Sequence, residues 1–418
     1  MLNITEKSFS EKLGVLYSPS EITDNLHRYE NLRNKFLSLF GRNEVLFFSA
    51  PGRTELGGNH TDHNKGVVLA ASVNLDTLAA VSPNDGDEVV VYSDQCGEKP
   101  FVVDLNYLEK HDEERGTFAS LVRGVAKYLS DNHRNVGGFN AVITSDILFG
   151  AGLSSSASVE VLIGEIFNVL FNEGKISKET IARAGQFAEN SYFEKPCGLM
   201  DQLACAYGGI IKIDFENGAK IEKIDFDFDK TDYALLVVNT GGNHAELTED
   251  YAAVPREMRE VAAFFGKEIL RDVNENDFWN SVTELREKVS DRAILRAAHF
   301  FEENRRVVEE SVALEKGDFP AFLRLVSESG NSSVKKLQNL FSTKIPEEQS
   351  LLLAIVLSEK FLENKKGVVR VHGGGFAGAI QVFLPRKYVE DYKNFIEKIF
   401  GKGSATELRI RNVGVVQV

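Results

Sequence analysis

Apolar residues recur at Leu26, Tyr29, Leu32, Phe36 and Leu39, the three-to-four spacing of one helical face, so a helix is expected over 21–40. The pattern then shortens. Apolar runs bounded by turn residues predict strands at 45–49, 67–73, 78–81, 88–92 and 101–105, with Pro83-Asn84-Asp85-Gly86 as a turn. A helix follows at 118–129, a strand at 139–144, and a helix at 156–172 stopped by Gly174. Beyond Asp201 the texture changes to three antiparallel strands at 210–215, 221–226 and 233–239, the first two joined by Asn217-Gly218. Long helices at 251–265, 291–316 and 350–363 come next, and strands at 367–371 and 379–384 flank a last glycine cluster. This order predicts a mixed α+β chain in two domains, 1–208 and 209–418.

Composition narrows the class. At 418 residues the chain is too long for one ordinary core, and 43% hydrophobic with 26% charged residues is a globular balance. A net charge of −14 with no basic run disfavours nucleic acid and anionic membranes as partners. The longest apolar run, at 351–357, is far below the roughly 20 residues that span a bilayer. Glu6, Glu11 and Lys12 interrupt the start, against a signal peptide. Cys96, Cys197 and Cys205 lack zinc spacing and are expected as reduced thiols, in a cytoplasmic protein.

Three glycine-rich segments carry the candidate chemistry. Gly150-Ala151-Gly152-Leu153-Ser154-Ser155-Ser156-Ala157-Ser158 lies between a strand and a helix, where free N–H groups and the helix dipole stabilise phosphate. Gly150 and Gly152 let backbone approach an anion, and the serines can add hydroxyls for phosphate or Mg²⁺. No Gly-Lys-Ser/Thr follows, so this is not a Walker A loop, and a serine N-cap without a ligand is the competing reading. Gly373-Gly374-Gly375-Phe376-Ala377-Gly378 fits a dinucleotide pattern but leads into a strand, which argues against that use. Gly52 to Asn64 holds Arg53 and the polar set Asn59, His60, Asp62 and His63, suited to sugar hydroxyls; a metal site through the last three lacks a fourth ligand. In Cys197-Gly198-Leu199-Met200-Asp201-Gln202 one carboxylate sits among apolar neighbours and needs a partner, for which Arg53 is the choice. Glu189, on the preceding helical stretch, could hold Mg²⁺.

Taken together these segments resemble galactokinases, within the GHMP kinase superfamily, from about Phe48 to Leu384. The resemblance implies a two-domain GHMP kinase fold: an N-terminal domain like ribosomal protein S5 domain 2, a ferredoxin-like C-terminal domain, and the site between them. It implies ATP and Mg²⁺ as cofactors and a small sugar as partner, phosphorylated at its anomeric hydroxyl, with galactose as first choice. Asp201 would be the catalytic base and Arg53 its charge partner. Asn59, His60, Asp62, Gly198 and Tyr251 would hold the sugar. Gly150, Gly152, Leu153, Ser154, Ser155, Ser156 and Ala157 would hold ATP, and Ser156 with Glu189 the Mg²⁺. The signature is varied: Glu55, Asn59 and His63 stand where the family has Asn, Glu and Tyr. That Glu grips the sugar's C6 hydroxyl, and exchanging it for Asn59 weakens the bond by about 1–2 kcal/mol. A kinase for N-acetylgalactosamine or a C6-altered sugar is therefore an alternative. So is a sugar-sensing regulator without catalysis, although the intact serine loop and Asp201 favour an enzyme.

Overall fold

The computed structural model describes residues 7–41, 44–94, 97, 99–147, 152–241 and 247–418. Cys96, Gly150 and Ala151 lie outside the described residues. Twelve strands occur among those described: β1 (Leu46–Gly57), β2 (Val67–Pro83), β3 (Glu88–Ser93), β4 (Phe101–Asp104), β5 (Phe139–Ser145), β6 (Ile210–Asp214), β7 (Lys220–Ile224), β8 (Tyr233–Asn239), β9 (Val368–His372), β10 (Ala379–Pro385), β11 (Ala405–Leu408) and β12 (Val416–Gln417). Eight of them form one sheet in the order β12-β1-β2-β5-β3-β4, with the β6–β7 hairpin also joined to β2. All its pairs are antiparallel except β3 with β5. The other four form an antiparallel sheet, β11-β8-β10-β9.

The long strands differ from the sequence expectation for a physical reason. Two runs, 67–73 and 78–81, are one strand: Val67–Ala71 pair with β6 and Thr77–Pro83 with β5, so β2 changes partner instead of ending. Its two apolar stretches, 67–71 and 78–81, are unbroken because both faces are covered. Ala79 and Val81 join the core under helices Phe118–Asp131 and Ser155–Phe171, while Leu78 and Ala80 point to the opposite face beneath helix Ile22–Phe40. β1 runs past Ser49 to Gly57 through two register shifts against β2, at Pro51/Arg53 and Glu55/Gly57. Those irregularities carry the strand's polar residues into the interior.

The expected boundary near residue 208 falls inside the larger sheet, since β6 and β7 extend β2 and β12 returns to β1. Helices Asp291–Glu315 and Phe319–Ser332 fill the space between the sheets, with Val307, Phe322 and Leu325 packed among Leu69 of β2 and Phe383 of β10. Helices Ser350–Leu362 and Val389–Phe400 cover the outer face of the smaller sheet. Helix Thr248–Phe264 packs on Asp291–Glu315 and on the third glycine segment through Phe376 and Ala377. Among the described residues no helix is long and apolar enough to cross a membrane.

Candidate active site

Arg53 and Asp201 are 148 positions apart in the chain and meet in one two-bond ion pair. Arg53 Nε donates to Asp201 Oδ1 and Nη2 to Oδ2, each at 2.7 Å. Strand β1 delivers the arginine and helix Met200–Tyr207 the aspartate from its first turn. The meeting depends on Gly52, where a Cβ would stand 2.9 Å from the Leu153 carbonyl oxygen. Without one, the backbone at Gly152 and Leu153 closes on β1, and Leu153 O accepts from Arg53 N–H at 3.1 Å. Arg53 Nη1 also donates to Gly152 O. Ser154, held at a left-handed φ of 55°, donates its hydroxyl to Asp201 Oδ2. Burial pushes the Asp201 carboxyl up, but the Arg53 charge, its hydrogen bonds and the Ser154 hydroxyl outweigh that and hold it below its ordinary value. The Asp201 side chain keeps 25% of its surface exposed.

That exposed edge faces a cleft of about 2140 Å³. On one side stand Gly152, Leu153, Ser154, Ser155 and Ser156, at the N-terminus of helix Ser155–Phe171. Ala157 does not reach the cleft; it is fully buried in the core. Ser156 Oγ donates to Glu189 Oε1 at 2.8 Å, and Lys195 Nζ approaches the same oxygen at 3.0 Å. Behind them Gln202 Nε2 bridges Glu189 Oε2 at 3.0 Å and Glu160 Oε2 at 2.9 Å. Burial, reinforced by Glu189, raises Glu160 well above the usual carboxylate range, so it holds a proton. Among the described residues no three His, Cys, Asp or Glu side chains are grouped to hold a metal ion. The His60–Asp62–His63 reading therefore finds no support.

The opposite wall is the signature loop. Gly198 lies so close to Asp62 that an added Cβ would fall 1.7 Å from Oδ2, which sets Asp62 beside the Asp201 segment. His60 Nε2 donates to Gly374 O at 2.8 Å, which leaves Nδ1 to accept from His63 Nε2 at 3.2 Å. Burial, with the His63 ring beside it, lowers His60 to about 3, and burial with the Arg259 charge lowers His63 to about 4, so both are neutral. The Tyr251 hydroxyl donates to Gly375 O at 2.7 Å, and its ring forms part of the wall.

Asn59 is 1% exposed and is engaged within the protein. Its amide donates to Glu55 Oε1 at 3.0 Å and to Gly373 O at 2.7 Å, while its oxygen accepts from Asn339 at 2.8 Å. Glu55 in turn pairs with Arg370 at 2.7 Å. So the amide and carboxylate that the signature exchanges are in mutual contact here.

Sequence reading did not single out Glu160, Lys195, Gln202 or Arg370. For Glu160 a signal was present: it lies four residues after Ser156, on the same helical face. Arg370 gives no such sign, because its strand reads as an ordinary alternation.

Two family models match segments that contribute to the cleft. Residues 34–83 match the galactokinase galactose-binding signature, and residues 120–209 match the GHMP kinases N terminal domain. A galactokinase of Lactococcus lactis, solved with galactose, superposes with a TM-score of 0.80 at 23% identity, covering 93% of this chain and 100% of that one. A Methanococcus jannaschii mevalonate kinase gives 0.61 at 15% identity, covering 88% and 99%. A D-glycero-D-manno-heptose 1-phosphate kinase from Bacteriodes thetaiotaomicron gives 0.60 at 15% identity, covering 90% and 99%. The fold is that of the GHMP kinases, and its first matched segment contributes Arg53 while the second contributes the serine loop and Asp201.

Proposed function

We propose that this chain, a sugar kinase of the GHMP class, uses ATP to phosphorylate the anomeric hydroxyl of galactose, giving galactose 1-phosphate and ADP. The observation that carries this reading is the Arg53–Asp201–Ser154 cluster, set between the sugar signature and the N-terminus of a helix. A sugar seated against Asp62 and His60 presents a hydroxyl to the exposed edge of Asp201. The phosphates of ATP lie at the free N–H groups of helix Ser155–Phe171.

In the transfer, the hydroxyl oxygen bonds to the γ-phosphorus and the β–γ bridging oxygen leaves with ADP. The hydroxyl proton passes to Asp201 or through it to water. Arg53 keeps Asp201 ionised and therefore weakly basic, so Asp201 acts more by orienting the hydroxyl than by removing its proton early. A loose phosphoryl-transfer transition state needs little base help, and Arg53 can stabilise its charge. Ser156 Oγ and Glu189 Oε1 form a pair of hard oxygens whose chemistry fits Mg²⁺, and these two side chains would hold the ion beside the phosphates. When bound, that ion neutralises charge on the β- and γ-phosphates. Asn59 and Tyr251 shape the sugar wall through the glycine segment, while Asp62 is the acceptor beside the sugar. An ATP-consuming reaction and the free thiols of Cys197 and Cys205 suit a cytoplasmic setting.

The test is ADP release with Mg·ATP against galactose, N-acetylgalactosamine, fucose, arabinose, glucose and mannose. Turnover on galactose is the expected result. ATP binding with no turnover on any sugar would replace the kinase by the sensor.

A further inference from the structure

The end of the cleft beyond His63 has a charge character that a neutral hexose does not use. Tyr251, Pro255 and Arg259 follow one another at steps of four along helix Thr248–Phe264, and all three line the cleft. The helix is fixed over the signature loop: Asn64 reaches Met258 Sδ at 3.4 Å and also accepts from Leu270 N–H at 3.2 Å. Arg259 is thereby brought against His63, whose proton affinity it lowers after burial has done most of the work. Lys65, two residues after His63 and exposed, lines the same end. Among the described residues neither cation is held in an ion pair. The nearby carboxylates are spoken for: Asp214 and Glu216 face Arg271, at 3.0 and 3.5 Å.

Among the described residues no ion pair on the signature wall balances these two charges. Asn59 is neutral, His60 and His63 are neutral, and Glu55 lies behind Asn59 in its contact with Arg370. Asp62 sits at the other side of the sugar wall, against Gly198 and near the reacting end.

We propose that this end receives an anionic group on the sugar carbon farthest from the reacting hydroxyl, and that the preferred substrate is a hexuronic acid, the C6 carboxylate of a galactose-type sugar. The inference rests on the sugar 1-kinase reading above and specifies its substrate. A carboxylate suits the site better than a phosphate. One charge is met by two flexible cations at the rim, and no helix N-terminus or protonated imidazole is on hand for a second.

The experiment compares kcat/KM for galacturonic acid, galactose and galactose 6-phosphate, in the parent and in Arg259→Gln and Lys65→Gln. The acid should exceed galactose by about tenfold, the size of one charge-assisted contact. Its KM should rise with ionic strength while that of galactose does not. In each variant the acid-to-galactose ratio should fall, most in Arg259→Gln. A parent that prefers galactose, with a ratio unmoved by either substitution, overturns the proposal and leaves the kinase intact. Faster turnover of the 6-phosphate overturns the carboxylate. Failure on all three, with the wider sugar panel also silent, removes the kinase reading and this proposal together.

Discussion

Asp201 shows how one residue's task follows from its neighbours. Its carboxyl is raised by burial and lowered further still by Arg53, so it stays ionised through the acid range where a free aspartate begins to protonate. The sign follows from linkage. The pair's contribution to stability is complete above the unfolded aspartate value and is lost as pH falls through the lower folded value. In activity, the acid limb of kcat should lie below the ordinary aspartate range, and Arg53→Met should move the limb of the residual rate upward, as a pH profile would show. An unmoved limb would mean that Arg53 does not control this carboxylate. Asp201→Asn keeps the shape and removes the charge, so kcat should drop about 100-fold or more with KM little changed. Near-normal turnover in steady-state kinetics would take Asp201 out of the mechanism. This pairing was legible in sequence because a lone carboxylate among apolar residues requires a cation. The third member, Ser154, was not, since its contact arises from a left-handed backbone angle that no residue type announces.

At the scale of an element, helix Asp291–Glu315 carries a buried charged stripe. Arg296, His299, Glu303, Arg306 and Glu310 recur at steps of three and four, and all are buried. The stripe supports the signature loop from behind. His299 Nε2 donates to Asn59 O at 2.9 Å, and Glu303 Oε1 accepts from Gly58 N–H at 3.1 Å. Glu310 lies directly over Gly57 with neither carboxyl oxygen partnered. Sequence reading misses this, because charged residues at helical spacing are the pattern of a solvated face.

The consequence is a pH dependence opposite to that of Asp201. Burial, with Glu303 adding to it, raises Glu310 well above the ordinary range. Burial raises Glu55 to about 7 despite Arg370 and Arg53. Carboxyls raised on folding give their full stability below the unfolded value near 4.3 and lose it as pH rises. The Glu55 share is gone above about 7, and that of Glu310 declines higher still. Urea unfolding between about pH 5 and pH 8 should show the protein weakening, and Glu310→Gln weakening less. Parallel slopes for the two proteins would show that Glu310 is not titrating.

Over the whole molecule, periodicity gave most elements but could not say which sheet β6 and β7 join. Pairing partners distant in sequence leave no local mark, and the same holds for β12, which closes on β1. The last segment matters more than its two-residue strand suggests, because it brings Arg411 into the interior. Arg411 Nη1 donates to Ser49 Oγ at 2.7 Å and to Asp76 Oδ2 at 3.0 Å, and both charged side chains are fully buried. Asp76 also accepts from the Tyr17 hydroxyl at 2.5 Å and from Arg28 at 2.9 Å. Four remote parts of the chain thus converge on one carboxylate: the segment before helix Ile22–Phe40, that helix, strand β1 and the segment leading to β12. Removing one partner of a buried pair leaves a charge without compensation, so Arg411→Met should cost about 3–5 kcal/mol, read as a lower urea midpoint. None of these residues lines the cleft, so the sugar KM of the folded variant should match the parent. A loss below about 1 kcal/mol would mean that Arg28 alone suffices for Asp76, and that the closing strand is held by its backbone rather than by this charge.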